Sequence, residues 1–344
     1  MKSARLWWLV GIFSLVVIFG SLAGLLLQAG KGAQRPMPAR SGWQTIRPPG
    51  EVSALALQET TLWAGGREGV VPINTSTQIA GQPLACDLPL AYVQALLVDN
   101  EGILWIGHPN GLSRYDGQEC STLGLADGLP DLRVNTLYQD RSGRLWVGTW
   151  GGAAVRTGQS WQVFKTADGL PHDMINAILE DSQGNMWFGT YVAPQGGISV
   201  CFDDECQTFS TDNGLPHNNI TSIIEDEQGY VWAGTGLYHY GGAARFARTG
   251  DRWEIVTTLD ESDGLAGEKV RSIFQDLEGN LWFGSEYDGL ARWGASGWRV
   301  FGTADGLSHP EVKTMLQDEQ NNLWIGTYDG VTRISAEALQ SLDH

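Results

Sequence analysis

Two sets of side chains with chemical potential recur at fixed phases of this sequence. Ser53, Gln94, Asn135, Asn176, Thr221, Arg271 and Lys313 each stand near the start of a β-branched or aliphatic run. Downstream of each run, at a second phase, come Arg67, His108, Trp150, Tyr191, the consecutive Tyr238, His239 and Tyr240, then Glu286 with Tyr287, and Tyr328. Aromatic faces beside hydrogen-bonding groups suit sugar rings, whose apolar faces stack while their hydroxyls are satisfied at the edge. Arg271 and Lys313 would add a local positive spot able to hold an acidic glycan fragment. The expected ligand-binding set is therefore Trp150, Tyr191, Tyr238, His239, Tyr240, Arg271, Tyr287, Lys313 and Tyr328.

Covalent chemistry finds little support. A lyase would need His239 or His108 within reach of a carboxylate or a second base. No nucleophile elbow, P-loop, HExxH or dinucleotide fingerprint occurs, so no catalytic residue and no cofactor is expected. His172, His217 and His309 follow the same loop in different repeats, which would scatter them round a ring, so no shared metal is expected. The acidic groups Asp203, Asp204 and Glu205, and Asp260, Glu261 and Asp263, read as solvated loops.

The elements that must position these residues are legible in the tryptophans, of which the chain has 15. One phrase returns seven times, as Leu-Trp-Ala-Gly at 62–65, Leu-Trp-Ile-Gly at 104–107, and again around Trp146, Trp187, Trp232, Trp282 and Trp324. These seven are 42, 41, 41, 45, 50 and 42 residues apart. A period of about 40–50 residues holding several short strands is the mark of propeller blades. Upstream of six of the seven lies an aliphatic run ending in Asp and a turn, as at Asp99 and Gly102 or Asp140 and Gly143. Asp starts such turns by accepting a backbone N–H, and Gly supplies the positive φ. Each repeat thus opens with a hairpin of strands a and b, continues with c (Gly-Leu-Ser-Arg-Tyr at 111–115) and ends with d (Trp-Gln-Val-Phe at 161–164). A loop of the form Asp-Gly-Leu-Pro, as at 127–130 and 168–171, leads to the next a, and its Leu is expected to plug between blades.

After Arg333 and Ile334 the seventh repeat has no strand d, whereas Trp43 to Ile46 reads as a d with no repeat before it. A 3+1 closure joins the two and removes the open edge of the array. The expected fold is all-β, a seven-bladed β-propeller with four-stranded blades over residues 41–335, followed by a tail at 336–344.

Lys and Arg number 22 against 39 Asp and Glu, and residues 1–40 hold five of the bases and no acid, so 17 against 39 leaves −22 beyond them. Phosphate-backbone binding needs the opposite sign, and no nucleic acid is expected as partner. Gly at 45 and Pro at 13 of 344 residues fall short of the roughly 25–30% of low-complexity chains. Residues 6–27 carry no charge and as a helix would span about 33 Å, enough for a bilayer core of about 30 Å. They read as an uncleaved anchor, longer than the apolar part of a signal peptide, with 28–40 as linker. Flanking bases balance, so the positive-inside count does not orient the helix. The four cysteines do: Cys201 and Cys206 flank a turn between c and d of blade 4, in disulfide range, Cys86 and Cys120 sit at the outer edges of blades 1 and 2, and of the three pairings that four cysteines allow this one is preferred over four reduced thiols. Two disulfides place residues 41–344 outside the cytoplasm.

The combination of Asp-x-x-Gly, Leu-Trp-x-Gly, Gly-Leu-x-Arg and Asp-Gly-Leu-Pro over residues 43–335 resembles the two-component regulator propeller repeats. These occur in the extracytoplasmic sensor regions of some bacterial hybrid histidine kinases, and the resemblance implies sensing of carbohydrate fragments. Such sensors usually carry a second propeller, a further β-domain, and a membrane helix and kinase after them, none of which is expected in this sequence. The leading expectation is a membrane-anchored binding propeller that acts through a separate membrane or signalling partner. A protein-binding scaffold comes second and a propeller lyase third.

Overall fold

The computed structural model describes residues 40–191, 194–202 and 205–343. Seven antiparallel sheets follow one another along the chain, six of them four-stranded. Blade 3 is typical, with a at Val134–Gln139, b at Leu145–Thr149, c at Gly152–Thr157 and d at Ser160–Phe164, ordered a-b-c-d from the channel outward. Successive a strands pack on one another round the channel. The expected closure is present. Trp43–Ile46 pairs antiparallel with strand c of blade 7, Gly330–Ile334, setting Trp43 against Ile334 and Ile46 against Val331. The apolar stretch at 6–27 lies outside the described residues, among which no helix is long and apolar enough to cross a membrane.

Blade 1 departs from the four-stranded expectation. It has Ala54–Gln58, Thr61–Gly66 and Gly69–Asn74, and an irregular segment takes the place of d. That segment is tied on by Asn74 N–H to the Ile79 carbonyl (3.0 Å), Gly81 N–H to Pro72 (2.7 Å) and Leu84 N–H to Val70 (2.8 Å). Pro72 in the outer strand and Pro83 in the facing segment have no N–H to donate, so a continuous ladder cannot form.

The repeated Asp does more than start a turn. In blade 4 one Asp181 carboxylate oxygen accepts from the indole N–H of Trp187 (2.9 Å), while the other accepts the backbone N–H groups of Gln183 (3.0 Å) and Asn185 (2.9 Å). The same Asp-to-Trp bond, 2.7–2.8 Å, joins Asp99 to Trp105, Asp140 to Trp146, Asp226 to Trp232, Asp276 to Trp282 and Asp318 to Trp324. Gln58 takes the part in blade 1, accepting from Trp63 at 3.0 Å. A buried indole must spend its N–H on a partner, and a carboxylate with two oxygens can serve both the ring and the turn.

Each of these tryptophans fills the wedge towards the next blade. Trp187 sits 4.8 Å from Trp253 and 5.3 Å from Phe246, both of blade 5, in edge-on geometry. Arginines of the c strands lie over tryptophan rings, Arg156 at 5.4 Å from Trp105, Arg292 at 5.7 Å from Trp282 and Arg333 at 5.8 Å from Trp324. The loop leucines Leu129, Leu170, Leu215, Leu265 and Leu307 are all buried, as expected. Each loop is a short 3-10 turn whose last side chain folds back on the start, as Asp168 does to Lys165 N–H (2.9 Å). Asp260 and Asp263 serve such a turn, which accounts for that acidic cluster; Asp203 and Asp204 lie outside the described residues.

Residues beyond 335 join the core. A helix at Ala336–Gln340 buries Ala338 and Leu339, and with Leu342 they pack against Trp43 and Leu307.

Candidate functional site

The face of the ring that carries the starts of the a strands and the b–c turns opens into a cavity of about 530 Å³. Its wall includes Ser53, Gln94, Asn135, Asn176, Thr221, Arg271 and Lys313, one from each blade. Fold symmetry explains the convergence, since equivalent positions on seven innermost strands must meet at the axis. Their side chains do not, however, play one part. The Asn135 amide donates to the Ile175 carbonyl (3.1 Å), that of Asn176 to Ile220 (2.8 Å), and the Thr221 hydroxyl to Val270, each reaching the next blade's strand a. In blades 3, 4 and 5 these polar groups stitch neighbouring blades together.

Blades 6 and 7 replace the stitches with charge. Arg271 lies 3.2 Å from Glu286 and 3.9 Å from Glu311, and Lys313 bridges Glu311 (3.4 Å) and Glu51 of blade 1. Lys269, which sequence reasoning missed, lines the same cavity and pairs with Glu286; it is only 5% exposed. Burial pulls the Lys269 pKa down, against the raising effect of Glu286. Burial would raise Glu286, but the Lys269 bond and the Arg271 charge prevail and hold it below the usual carboxylate range. The Glu286 carboxylate beside it raises the Tyr287 pKa. Three cations and three carboxylates thus form one arc across blades 6, 7 and 1. Arg271 and Lys313, the expected local positive spot, do line the cavity, and each is ion-paired.

The aromatic set divides in two. Trp150 and Tyr191 line the cavity, with Arg133 stacked 4.1 Å over the Trp150 ring and held by Asp131. Trp150 is where it is because its N–H bonds the Arg133 carbonyl at the lip (3.3 Å). Tyr238, His239, Tyr240, Tyr287 and Tyr328 are not among the lining residues. Blade 5 has a β-ribbon where a long loop was expected. Its strands Val231–Leu237 and Tyr240–Thr249 pair to the tip, Leu237 against Tyr240. Tyr238, at φ +55°, and His239 form the two-residue turn, and Tyr238 and Tyr240 are 68% and 73% exposed. The His239 and Tyr287 rings lie 5.0 Å apart, and Tyr328 stacks between His309 (5.2 Å) and the Lys313 ammonium (5.3 Å).

The histidines mostly serve structure. Nδ1 of His172, His217 and His309 each accepts a backbone N–H two residues on, at 3.1, 2.9 and 3.0 Å, which shapes the approach to strand a. His108 is fully buried, accepts from Asn110 N–H at Nδ1 (3.3 Å) and meets the Ser113 hydroxyl at Nε2 (2.9 Å), and burial depresses its pKa. Among the described residues no three of His, Cys, Asp and Glu stand so as to hold a metal. Both expected disulfides are formed, Cys86 to Cys120 and Cys201 to Cys206, the second between directly paired residues.

Comparison with known proteins adds a family and a fold. The two-component regulator propeller model matches residues 87–110, 128–151, 169–192, 214–236 and 306–329. Each match runs from the d–a loop through strand b. Blade 6, which holds Lys269, Arg271 and Glu286, lies outside these matches. No curated protein matches the chain. Among solved structures, the extracellular domain of a hybrid two-component system from B. thetaiotaomicron superposes with a TM-score of 0.75 at 20% identity, over 88% of this chain and 42% of that one. The chain therefore spans less than half of that sensor domain. Catalytically inactive virginiamycin B lyase from Staphylococcus aureus, with quinupristin, gives 0.64 at 14% identity over 85% and 98%. PorZ, a surface component of the type-IX secretion system of Porphyromonas gingivalis, gives 0.60 at 14% over 84% and 47%. Identities this low speak for the fold alone. The ring thus has the fold of these propellers, and five of its seven repeats match the two-component regulator propeller repeat.

Proposed function

We propose that this chain is an extracytoplasmic sensor-type propeller, held at a membrane through residues 6–27, which binds a carbohydrate or another small ligand at the channel mouth and acts through a separate partner. The observation that carries the reading is the convergence of Trp150, Tyr191 and four cations on one cavity of about 530 Å³, within the usual range for small-ligand sites. Disulfides support the compartment, since both pairs need an oxidising one to persist. Interlocked wedges make the ring stiff, so a signal would pass by altered docking at the rim, where Tyr238 and Tyr240 stand exposed.

Little favours a lyase. His108 is buried with both ring nitrogens engaged, and His239 packs on Tyr287 at the rim instead of facing the cavity. The test is a thermal-shift screen of the full chain in mild detergent against oligosaccharides. Ligand at 100 times its Kd adds about 2.7 kcal/mol of stability. A hit that disappears in Trp150→Ala with Tyr191→Ala supports the mouth as the site. One lost only in Tyr238→Ala with His239→Ala moves the site to the rim, and silence across the panel favours a protein-binding scaffold.

A further inference from the structure

Among the described residues, those lining the channel mouth include four cations, Arg133, Lys269, Arg271 and Lys313, and no carboxylate, in a region whose formal charge is −22 from 17 bases and 39 acids. The acids that pair with them, Asp131, Glu51, Glu286 and Glu311, stand outside the lining. Like charges are therefore gathered on the inside of the mouth and their counter-charges set behind them.

Such an arrangement is a poor way to gain stability. Lys269 is 5% exposed and the Lys313 side chain 7%, and desolvating an ammonium costs what a salt bridge returns, so a buried pair seldom adds net stability. It does fix direction. Lys313 has three N–H donors and two carboxylate partners, Lys269 has three donors and the Glu286 partner, and Arg271 has five donors shared between Glu286 and Glu311. Donors are left over on each cation once the carboxylates are served, in a low-dielectric recess where a further charge-assisted bond is worth more than in water.

We infer that the ligand at this mouth is an anionic saccharide, whose uronate carboxylate or sulfate ester seats against Lys269, Arg271 and Lys313. The inference rests on the reading of the mouth as a saccharide site. Trp150, with Arg133 stacked on it, and Tyr191 lie on blades 3 and 4, across the channel from the cationic arc, so the acidic group and the stacked ring fall at opposite sides of one ligand. Glu51 competes with the ligand for Lys313, and its removal should strengthen binding.

The test is binding of the full chain to immobilised oligosaccharides presented as matched sets: uronate-bearing, sulfated, and the neutral methyl-ester or unsulfated counterpart of each. Expected is binding to an acidic member at least about tenfold tighter than to its neutral counterpart, the uronate and sulfate arms telling which acid is read. Arg271→Gln should weaken it by about tenfold or more, Arg271→Lys by much less, and Glu51→Gln should tighten it severalfold. Equal binding of neutral and acidic members overturns the anion inference and leaves the saccharide site standing. No binding to any saccharide overturns both. Weakening by Glu51→Gln as well as by Arg271→Gln would mean that the network only holds the mouth in shape, and Glu51→Gln alone decides the matter if Arg271→Gln does not fold.

Discussion

Blades 3–5 and blades 6–7 occupy equivalent positions in the ring and use them in opposite ways. On the first side Asn135, Asn176 and Thr221 spend their polar groups on the next blade's backbone. On the second, Arg271 shares Glu286 with Lys269 and Glu311 with Lys313, and the inter-blade bond is left to Ser272, which reaches the Val312 carbonyl at 3.3 Å. Residue type near the start of strand a therefore does not by itself mark a ligand site. What separates stitch from site is whether the polar group finds a backbone carbonyl within reach, and a long charged side chain finds carboxylates instead.

The largest effects should come from the frame shared by both sides. Trp187→Ala removes a fully buried indole from the wedge between blades 4 and 5 and should cost about 3–5 kcal/mol in chemical denaturation. A much smaller loss would mean that the blades pack independently. Disulfide loss comes next. Cys86→Ser with Cys120→Ser opens a loop of 34 residues and should cost about 3–4 kcal/mol, against about 2 for Cys201 and Cys206, five residues apart. Equal losses would show that loop entropy is not what these bonds supply. Asn176→Ala sharpens the contrast directly. It should lower stability by about 1 kcal/mol and leave ligand binding unchanged, because the lost bond is to Ile220 of the next blade. Should binding fall instead, the stitching side is part of the site.

The smallest effect is one of pH. Glu286 is held below its ordinary value of 4.5, so its contribution to folding is complete above that pH and is lost as pH falls through its lower folded value. Asp140 acts in the same sense from 3.8: burial works against ionisation, but the bonds from Trp146 and Arg144 outweigh it. Melting temperature should therefore drop on acidification below about 4.5, and Glu286→Gln should flatten the upper part of that fall. Unaltered acid sensitivity in the variant would place the titration elsewhere, in the Asp-to-Trp bonds of the frame.

Much of the frame was readable because it repeats. Trp105, Trp146 and their equivalents stand at one spacing, and the same phase yields the loop leucines, the a–b turns and the closing strand Trp43–Ile46. The Asp-to-Trp bond is not legible in the sequence, since a turn-starting Asp is already satisfied by local N–H groups and nothing in the order of residues says that its second oxygen faces an indole. The lining of the cavity was half legible. Positions 53 to 313 were correctly phased to the mouth, and Trp150 and Tyr191 with them. Tyr238, His239 and Tyr240 were expected in a loop because a run of residues between two strands looks like one until the register of Leu237 with Tyr240 makes it a ribbon. Lys269 was missed for want of a signal, as it precedes the run that the repeat defines.

Sequence alone determined what depends on spacing along the chain: seven hairpins, their wedges, the local Cys201 to Cys206 pair and the joining of the two ends. Tertiary structure decided what depends on meeting across it. Lys313 and Glu51 are 262 residues apart and touch because the ring closes. Whether a polar side chain becomes a stitch, an ion pair or a ligand contact is settled by the neighbour the next blade brings, and such pairings, unlike a strand's period, leave no regular trace in the order of residues.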